Sequence, residues 1–467
     1  MQVKLDNKLL KKIGKIADEN DFEIYVVGGY VRDILLNREC KDIDILVVGK
    51  GTEFATLVAK NFNKEIVTYE KFGTALVNFS DMKLEFVGAR KESYRSDSRN
   101  PTVSQGTLYE DIARRDFTMN ALAISLNEKS LYNLIDQYAG LDDIKSKIIK
   151  TPLEPEKTFN DDPLRMMRAI RFASTLGFTL SNETFEGIKK SAERIKIISQ
   201  ERIADELLKI IRSERPSIGV KLLRDTGLLK FIFPELNELA LMNRVVTEDG
   251  KEHFHKDVFL HSVKVMDNLV SQTDNVWLRF AGLIHDIGKP KTRRFDKVEG
   301  WTFHGHDDVG SRMVDNIFKR LKLPFDKMEY TKKLIRLHLR PIALVNENVT
   351  DSAIRRLIFE AGEEIFDLML LCEADITSQN LFKVETYKKN YEYIKKRIVE
   401  VEEKDHIRNF QPPVKGDEIM EIYGLTPGPK VGKLKNALTD AILDGIIKND
   451  RAEALAFLEN EYKKIEL

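Results

Sequence analysis

Two hydrophobic periods divide this 467-residue chain, and they do not mix. Up to about residue 150, apolar runs of strand length recur: IYVVGG, DIDILVV, TALVNF and KLEFVGA. Each is bounded by polar or turn residues, as strands are. One helix, from near Leu9 to near Asp18, precedes them. From about residue 158 onward the strand pattern stops. DPLRMMRAIRFASTLGF, ETFEGIKKSAERIK and SQERIADELLKIIRS space their apolar residues three and four apart, so each buries one side of a helix. Asn182 and Ser199 occupy N-cap positions, each with an acidic residue or glutamine shortly after. The expected fold class is α+β: a small mixed α/β head followed by all-α regions. Expected boundaries are 1–150, 151–245, 246–380 and 381–467.

Composition excludes several alternatives. Seventy-five Lys and Arg balance 75 Asp and Glu, 32% of residues are charged and 42% are hydrophobic, so the chain is neither disordered nor collagen-like. No run approaches the ~18 apolar residues of a membrane span, and the charged start has no apolar signal core. No membrane association is expected. Only Cys40 and Cys372 occur, which rules out a disulfide framework and points to the cytoplasm. Zero net charge means that a nucleic-acid surface must be a local patch.

The first chemical constellation is DID at Asp42, Ile43 and Asp44. Residues two apart in a strand face the same side, so both carboxylates project from one sheet face, about 6.7 Å apart at the backbone. Such a pair is costly without a cation. Paired divalent ions about 3.5–4 Å apart meet that need in phosphoryl chemistry. Glu85, between core-facing Leu84 and Phe86, is the candidate third carboxylate on a neighbouring strand. Upstream, VVGGYVRD passes from a strand through Gly28-Gly29 into a helix near Tyr30. That turn lets backbone approach a phosphate, and the helix start offers free N–H groups. Arg32 and Asp33 follow in the first turn. A Gly-Gly turn alone is an ordinary connector, and a lone DxD is often a surface loop. Their joint occurrence, each on its expected element, points to nucleotidyl transfer.

GGYVRDILLNRECKDIDILVV resembles the head motif of the class II tRNA nucleotidyltransferase and bacterial poly(A) polymerase family. RRDFTMNALA, DDPLRMMRAIRF and SQERIADEL match further motifs in family order. The resemblance implies that Asp42 and Asp44 hold Mg²⁺, with Glu85 completing the catalytic carboxylates. It implies nucleotide binding by Gly28, Gly29, Arg32, Asp33 and Arg115, with Asp116 and Asn120 organising the sugar side. Asp162 and Arg165 match the pair that reads the incoming base, and Arg168 and Arg171 extend their helical face. The family usually has Glu at position 161, where this chain has Asp161. Asp accepts from an exocyclic amine and Arg donates to ring acceptors, so such a pair, converging three residues apart on a helix, suits cytosine and adenine over uracil and guanine. Alone, Asp162 and Arg165 would be an ordinary helix-start acid and surface ion pair. The polar segment GARKESYRSDSRNPTVSQGTLYED reads as a flexible loop; in the resembling enzymes a loop here helps the switch from C to A addition.

The second constellation is rich in histidine. Seven of eight histidines lie between His253 and His338. FLHSVKVM, GLIHDIGKP, WTFHGHDDVGS, IRLHLRP and CEADITSQN together resemble the HD-domain phosphohydrolases. His261, His285, Asp286 and Asp375 match the metal ligands of that superfamily. His306 and His338 match positions for a second metal or a substrate phosphate, and Lys289 adds positive charge nearby. Imidazole with carboxylate suits Mn, Ni, Co, Fe or Zn. His253, His255 and His304 have no place in the pattern and read as surface or outlying residues.

From Pro163 to Phe231, fourteen Lys or Arg face eight Asp or Glu, a surface suited to tracking an RNA backbone or simply a solvated face. GLTPGPKVGKLKNAL, with Lys430, Lys433 and Lys435, resembles a helix-hairpin-helix phosphate grip and the tail of tRNA nucleotidyltransferases carrying HD domains. The sequence therefore predicts an enzyme adding CCA to tRNA from CTP and ATP, with an added phosphohydrolase activity. Poly(A) polymerase, CC-only or A-only addition, and an HD hydrolase with an inactive RNA-binding head remain open. Oligomeric state is not legible.

Overall fold

The computed structural model describes residues 1–466 except 4, 70–72, 81, 96–97, 243, 247–251, 255–256, 297, 299, 346–349, 378–379, 406 and 409. The chain forms two compact units, Met1–Asn237 and Glu238–Leu467.

Up to residue 136 the described residues of the first unit form nine strands: β1 Glu23–Val27, β2 Asp42–Val48, β3 Ile66–Tyr69, β4 Thr74–Asn78, β5 Lys83–Gly88, β6 Arg90–Arg95, β7 Ser98–Gln105, β8 Leu122–Ser125 and β9 Leu134–Asp136. Seven make one sheet in the order β3-β4-β5-β2-β1-β8-β9. Among the described residues of this sheet, only β2 and β5 pair in parallel. A parallel pair needs a crossover, which the Gly51–Phe62 helix and the β3–β4 hairpin supply. β1 and β8 are almost wholly buried, as Val26, Val27, Ala123 and Ile124 are in the core. The strand and helix runs expected of the head are present, including a first helix over Lys8–Glu19 capped by the Asn7 side chain.

Several expectations need correction. The polar segment after β5 is not a loop: β6 and β7 pair as an antiparallel hairpin, and Leu108–Ala113 is a helix with a Thr107/Glu110 capping box. Backbone pairing there is satisfied without an apolar face, so periodicity carried no signal. Strands also recur beyond residue 158: Thr179–Leu180, which pairs with Ile148–Ile149, and Arg294–Asp296 with Gly300–Thr302. They are too short for alternation to show. Ser181, not Asn182, caps the Asn182–Ser191 helix, its hydroxyl accepting from Thr184 N–H at 3.2 Å. Ser199 is the N-cap of Gln200–Arg212, with no side-chain cap bond.

The helical stretch at Asp161–Leu176 is interrupted. One helix spans Pro155–Asp161, the next Leu164–Leu176, and Asp162 between them is extended, with φ −138° and ψ 101°. Proline disfavours the helical region for the residue before it, and Pro163 therefore breaks the run. Asp162 and Arg165 thus do not share one helix.

The second unit is mostly helical. Its core joins Val265, Leu269, Leu278, Leu368, Leu371 and Cys372 to Tyr391 and Ile394 of the long Leu381–Asp405 helix. Among the described residues no helix is long and apolar enough to cross a membrane.

Candidate active sites

The head site forms where β1 ends. Asp44 lies opposite Val27 on one side and opposite Glu85 on the other. The chain then turns at Gly28 with φ +73°. A side chain there would meet the Arg115 guanidinium at 2.8 Å and the Asp44 carboxylate at 3.3 Å. Glycine therefore meets two demands, a left-handed backbone and close approach of two charged groups. Along β2, Ile43 is buried while Asp42 is exposed and Asp44 intermediate, so the acids share the face away from the core. Burial pushes the Asp44 carboxyl up to about 6, with Glu85 and Asp42 adding to the rise and Arg115 opposing it. Three neighbouring acids against one guanidinium are a donor set short of positive charge, which fits a divalent cation.

The segment before β8 brings the other residues in. Buried Asp111 holds Arg114 at 2.5 Å and Arg115 at 3.2 Å. Arg32 binds Asp33 through two nitrogens, at 2.9 and 2.8 Å, and donates to Asn120 at 2.9 Å. Asn120 donates to Asp116 at 3.0 Å, and Asp116 accepts from Arg168 at 2.8 Å. Burial works against the Asp116 charge, but Arg168, Asn120 and Arg165 outweigh it and hold the carboxyl at about 2. Arg171 is tied to buried Glu206 at 2.7 Å. The Asp162 carboxylate accepts from Leu164 N–H at 3.1 Å, and Arg165 is buried in the first turn of the next helix. Gly29 sits against the Arg32 guanidinium, 3.6 Å from where a Cβ would be.

The second unit assembles the histidines around Asp286, which is 1% exposed. His306 Nε2 lies 3.2 Å from one carboxylate oxygen, with His338 Nε2 at 4.0 Å; His285 Nε2 lies 3.4 Å and His261 Nε2 3.7 Å from the other. Asp375 reaches His261 at 2.9 Å and His285 at 3.6 Å. Lys289 pairs with Asp286 at 2.5 Å. Two overlapping donor groups result, His261–His285–Asp286 and Asp286–His306–His338.

Hydrogen bonds behind the rings fix which nitrogen faces inward. Nδ1 of His285, His306 and His338 bonds the carbonyls of Gly282, Phe303 and Ile335, at 2.9, 2.8 and 2.6 Å. A carbonyl only accepts, so each Nδ1 carries a proton, and Nε2 is the nitrogen that offers a lone pair whenever the ring is neutral. Nε2 of His306 is buried with no hydrogen-bond partner. Burial disfavours charge on His285, yet Asp286 and Asp375 raise its pKa to about 9; burial lowers that of His338 to about 4. The acids thus require a cation among them, and the inward lone pairs fit a metal ion.

Among the expected residues, Gly28, Asp42, Asp44, Glu85 and Arg115 form one group, Arg32, Asp33, Asn120, Asp116 and Arg168 a second, and His261, His285, Asp286, Lys289, His306, His338 and Asp375 a third; Asp162 lies outside the helix that carries Arg165. His304 is exposed, and His255 lies outside the described residues. Sequence reasoning missed Asp111, Glu206 and Gly288. The first two had a signal in hindsight, an acid four residues before Arg115 and an acid within SQERIADEL. Gly288 admits the His306 backbone: a Cβ there would stand 2.1 Å from the His306 carbonyl oxygen.

A mixed sheet presenting paired acids beside a Gly-Gly turn, followed by helices and a histidine–aspartate centre, defines a nucleotidyltransferase head joined to an HD domain. Residues 24–150 match the poly A polymerase head domain, 177–239 the probable RNA and SrmB-binding site of polymerase A, and 258–367 the HD domain. The chain is 33% identical over 361 residues to the A-adding tRNA nucleotidyltransferase of Deinococcus radiodurans, covering 75% of this chain and 79% of that one. It is 29% identical to the multifunctional CCA protein of Pseudoalteromonas atlantica, covering 85% and 96%. A longer relative, the A-adding enzyme of Geobacter sulfurreducens, is 37% identical, and the match spans 28% of its length. A crystal structure of a tRNA nucleotidyltransferase with a primer tRNA and an incoming ATP analogue aligns with TM-score 0.59 at 26% identity, over 82% of this chain and 98% of that chain. The chain belongs to the tRNA nucleotidyltransferase and poly(A) polymerase family.

Proposed function

We propose that the protein completes the CCA end of tRNA from CTP and ATP, in the cytoplasm. The observation that carries this reading is the meeting of Gly28, Arg115 and Asp44 at the end of β1. Backbone, guanidinium and carboxylate stand there within contact of one another, the donors and acceptor that a triphosphate and its cation need. Asp42 and Asp44, with Glu85 beside them, would hold Mg²⁺, which supplies charge stabilisation at the α-phosphate and activation of the primer hydroxyl. Gly28, Gly29, Arg32 and Asp33 bind the phosphate side. Arg115 neutralises phosphate charge from its seat on Asp111. Asp116 and Asn120 order the sugar side, and Asp162 and Arg165 read the base edge. Arg168 and Arg171 hold that reading helix in place.

A head (1–150), a neck (151–245), an HD region (246–380) and a tail (381–467) divide these tasks. The basic neck and exposed Lys430, Lys433 and Lys435 suit the tRNA backbone. In the HD region, His261, His285, Asp286 and Asp375, with His306 and His338, would hold one or two ions of Mn, Ni, Co, Fe or Zn, which polarise a phosphoryl oxygen and acidify water. Lys289 adds positive charge for a terminal or 2′,3′-cyclic phosphate.

Incubation with tRNA lacking its 3′ end, one nucleotide at a time, tests the reading. Sequential C, C and A incorporation is expected. The Deinococcus relative favours a second reading, A-only addition, under which CTP is not used. Long runs of A would indicate a poly(A) polymerase. The Asp42→Ala, Asp44→Ala double variant should lose incorporation; unchanged incorporation would transfer the activity away from the head.

A further inference from the structure

Phe172 is 4% exposed and has no role in the reading above. Three guanidinium groups nevertheless converge over its ring, Arg171 at 4.1 Å from the centroid, Arg32 at 4.9 Å and Arg168 at 5.6 Å. Two of them belong to the same helix as Phe172. Arg32 comes from the helix after the Gly-Gly turn, 140 positions earlier in the chain. The ring's own position is fixed by an edge-on contact with fully buried Phe117, centroids 5.8 Å apart at 87°.

Three like charges at one ring repel. Each is balanced by its own acid: Arg32 by Asp33 at 2.8 Å, Arg168 by Asp116 at 2.7 Å and Arg171 by Glu206 at 2.7 Å. The negative face of an aromatic ring offers a common seat that an aliphatic side chain of equal size does not. A second route joins the same parts, Arg32 to Asn120 to Asp116 to Arg168. Ring and hydrogen-bond chain close a loop between the phosphate-side turn and the helix that carries Arg165.

We infer that Phe172, with Glu206 behind Arg171, is a positioning residue that locks the triphosphate-binding arginine and the base-reading helix into one geometry, so that nucleotide affinity and base choice depend on the same ring. The inference rests on the reading of the head as a nucleotidyl-transfer site. The ring acts through the arginines and takes no part in bond making. Its removal should therefore alter KM and selectivity more than kcat.

The test uses the full chain, truncated tRNA and single nucleotides. Phe172→Leu should raise KM for CTP and ATP about tenfold, change kcat less than about threefold and raise UTP incorporation relative to CTP. Phe172→Tyr keeps the ring and should restore all three. A folded Phe172→Leu protein with wild-type KM and wild-type UTP-to-CTP ratio overturns the inference, whatever its thermal stability. Should Phe172→Leu fail to fold, Glu206→Gln decides. It keeps the side-chain shape but removes the charge that holds Arg171, and should raise KM and the UTP-to-CTP ratio in the same direction; wild-type values overturn the inference. An unaltered protein that attaches no nucleotide would instead remove the reading on which the inference stands.

Discussion

At the residue scale, the buried charges of Asp111, Asp116 and Glu206 are tolerated because each has an arginine built against it. Asp116 shows the consequence for stability. Its folded pKa, about 2, lies below its ordinary 3.8. A depressed carboxyl stabilises the fold above the unfolded pKa and loses that contribution as pH falls through the folded one. The shift corresponds to about 2 kcal/mol, present above about pH 4 and gone near pH 2. Asp116→Asn should remove this part of the acid limb in a melting series against pH. It should also cost about 1–3 kcal/mol at pH 7, because buried Asn120 and half-buried Arg168 lose the charged acceptor they share. Gly288 carries the parallel lesson in the second unit. With the His306 carbonyl in the space of a Cβ, Gly288→Ala should cost about 1–3 kcal/mol. It should also displace His306 and lower bound metal per chain in elemental analysis. A variant with full metal content and unchanged melting would refute this account.

At the element scale, the break at Asp162-Pro163 sets where the proposed base-reading pair, Asp162 and Arg165, sits. Periodicity showed one helix because the apolar spacing continues across the proline. The rule for residues preceding proline contained the correction, since Asp162 is held extended. Pro163→Ala lifts that restriction and lets the two helices merge. Pro163 is itself buried, so trimming its ring should cost about 1–2 kcal/mol. Misincorporation of UTP should rise about tenfold if the pair's geometry reads the base. Unaltered fidelity would separate base choice from this kink. The β6–β7 hairpin was illegible for a different reason. Its sequence is polar, and strand pairing there comes from backbone hydrogen bonds, which side-chain alternation does not report.

At the scale of the whole molecule, the two candidate centres lie in two compact units. Asp286 stands between both histidine groups, so Asp286→Ala should reduce metal-dependent phosphatase activity by more than about hundredfold. Nucleotide addition should persist in the same preparation. Equal loss of both activities from a folded protein would mean that the two centres are not independent.

The sequence alone determined the fold class, the order of the motifs and the chemistry of the ligands. Period, turn residues and side-chain type are local properties, and the paired acids, the Gly-Gly turn and the HDIG run announce themselves within a few positions. Tertiary structure decided which distant groups meet. Glu206 under Arg171, Asn120 between Arg32 and Asp116, and His306 beside Asp286 are pairings across the fold. A buried charge must find a partner, but many partners of the right sign exist along this chain. Only the path of the backbone through β1, β8 and the packed helices selects among them.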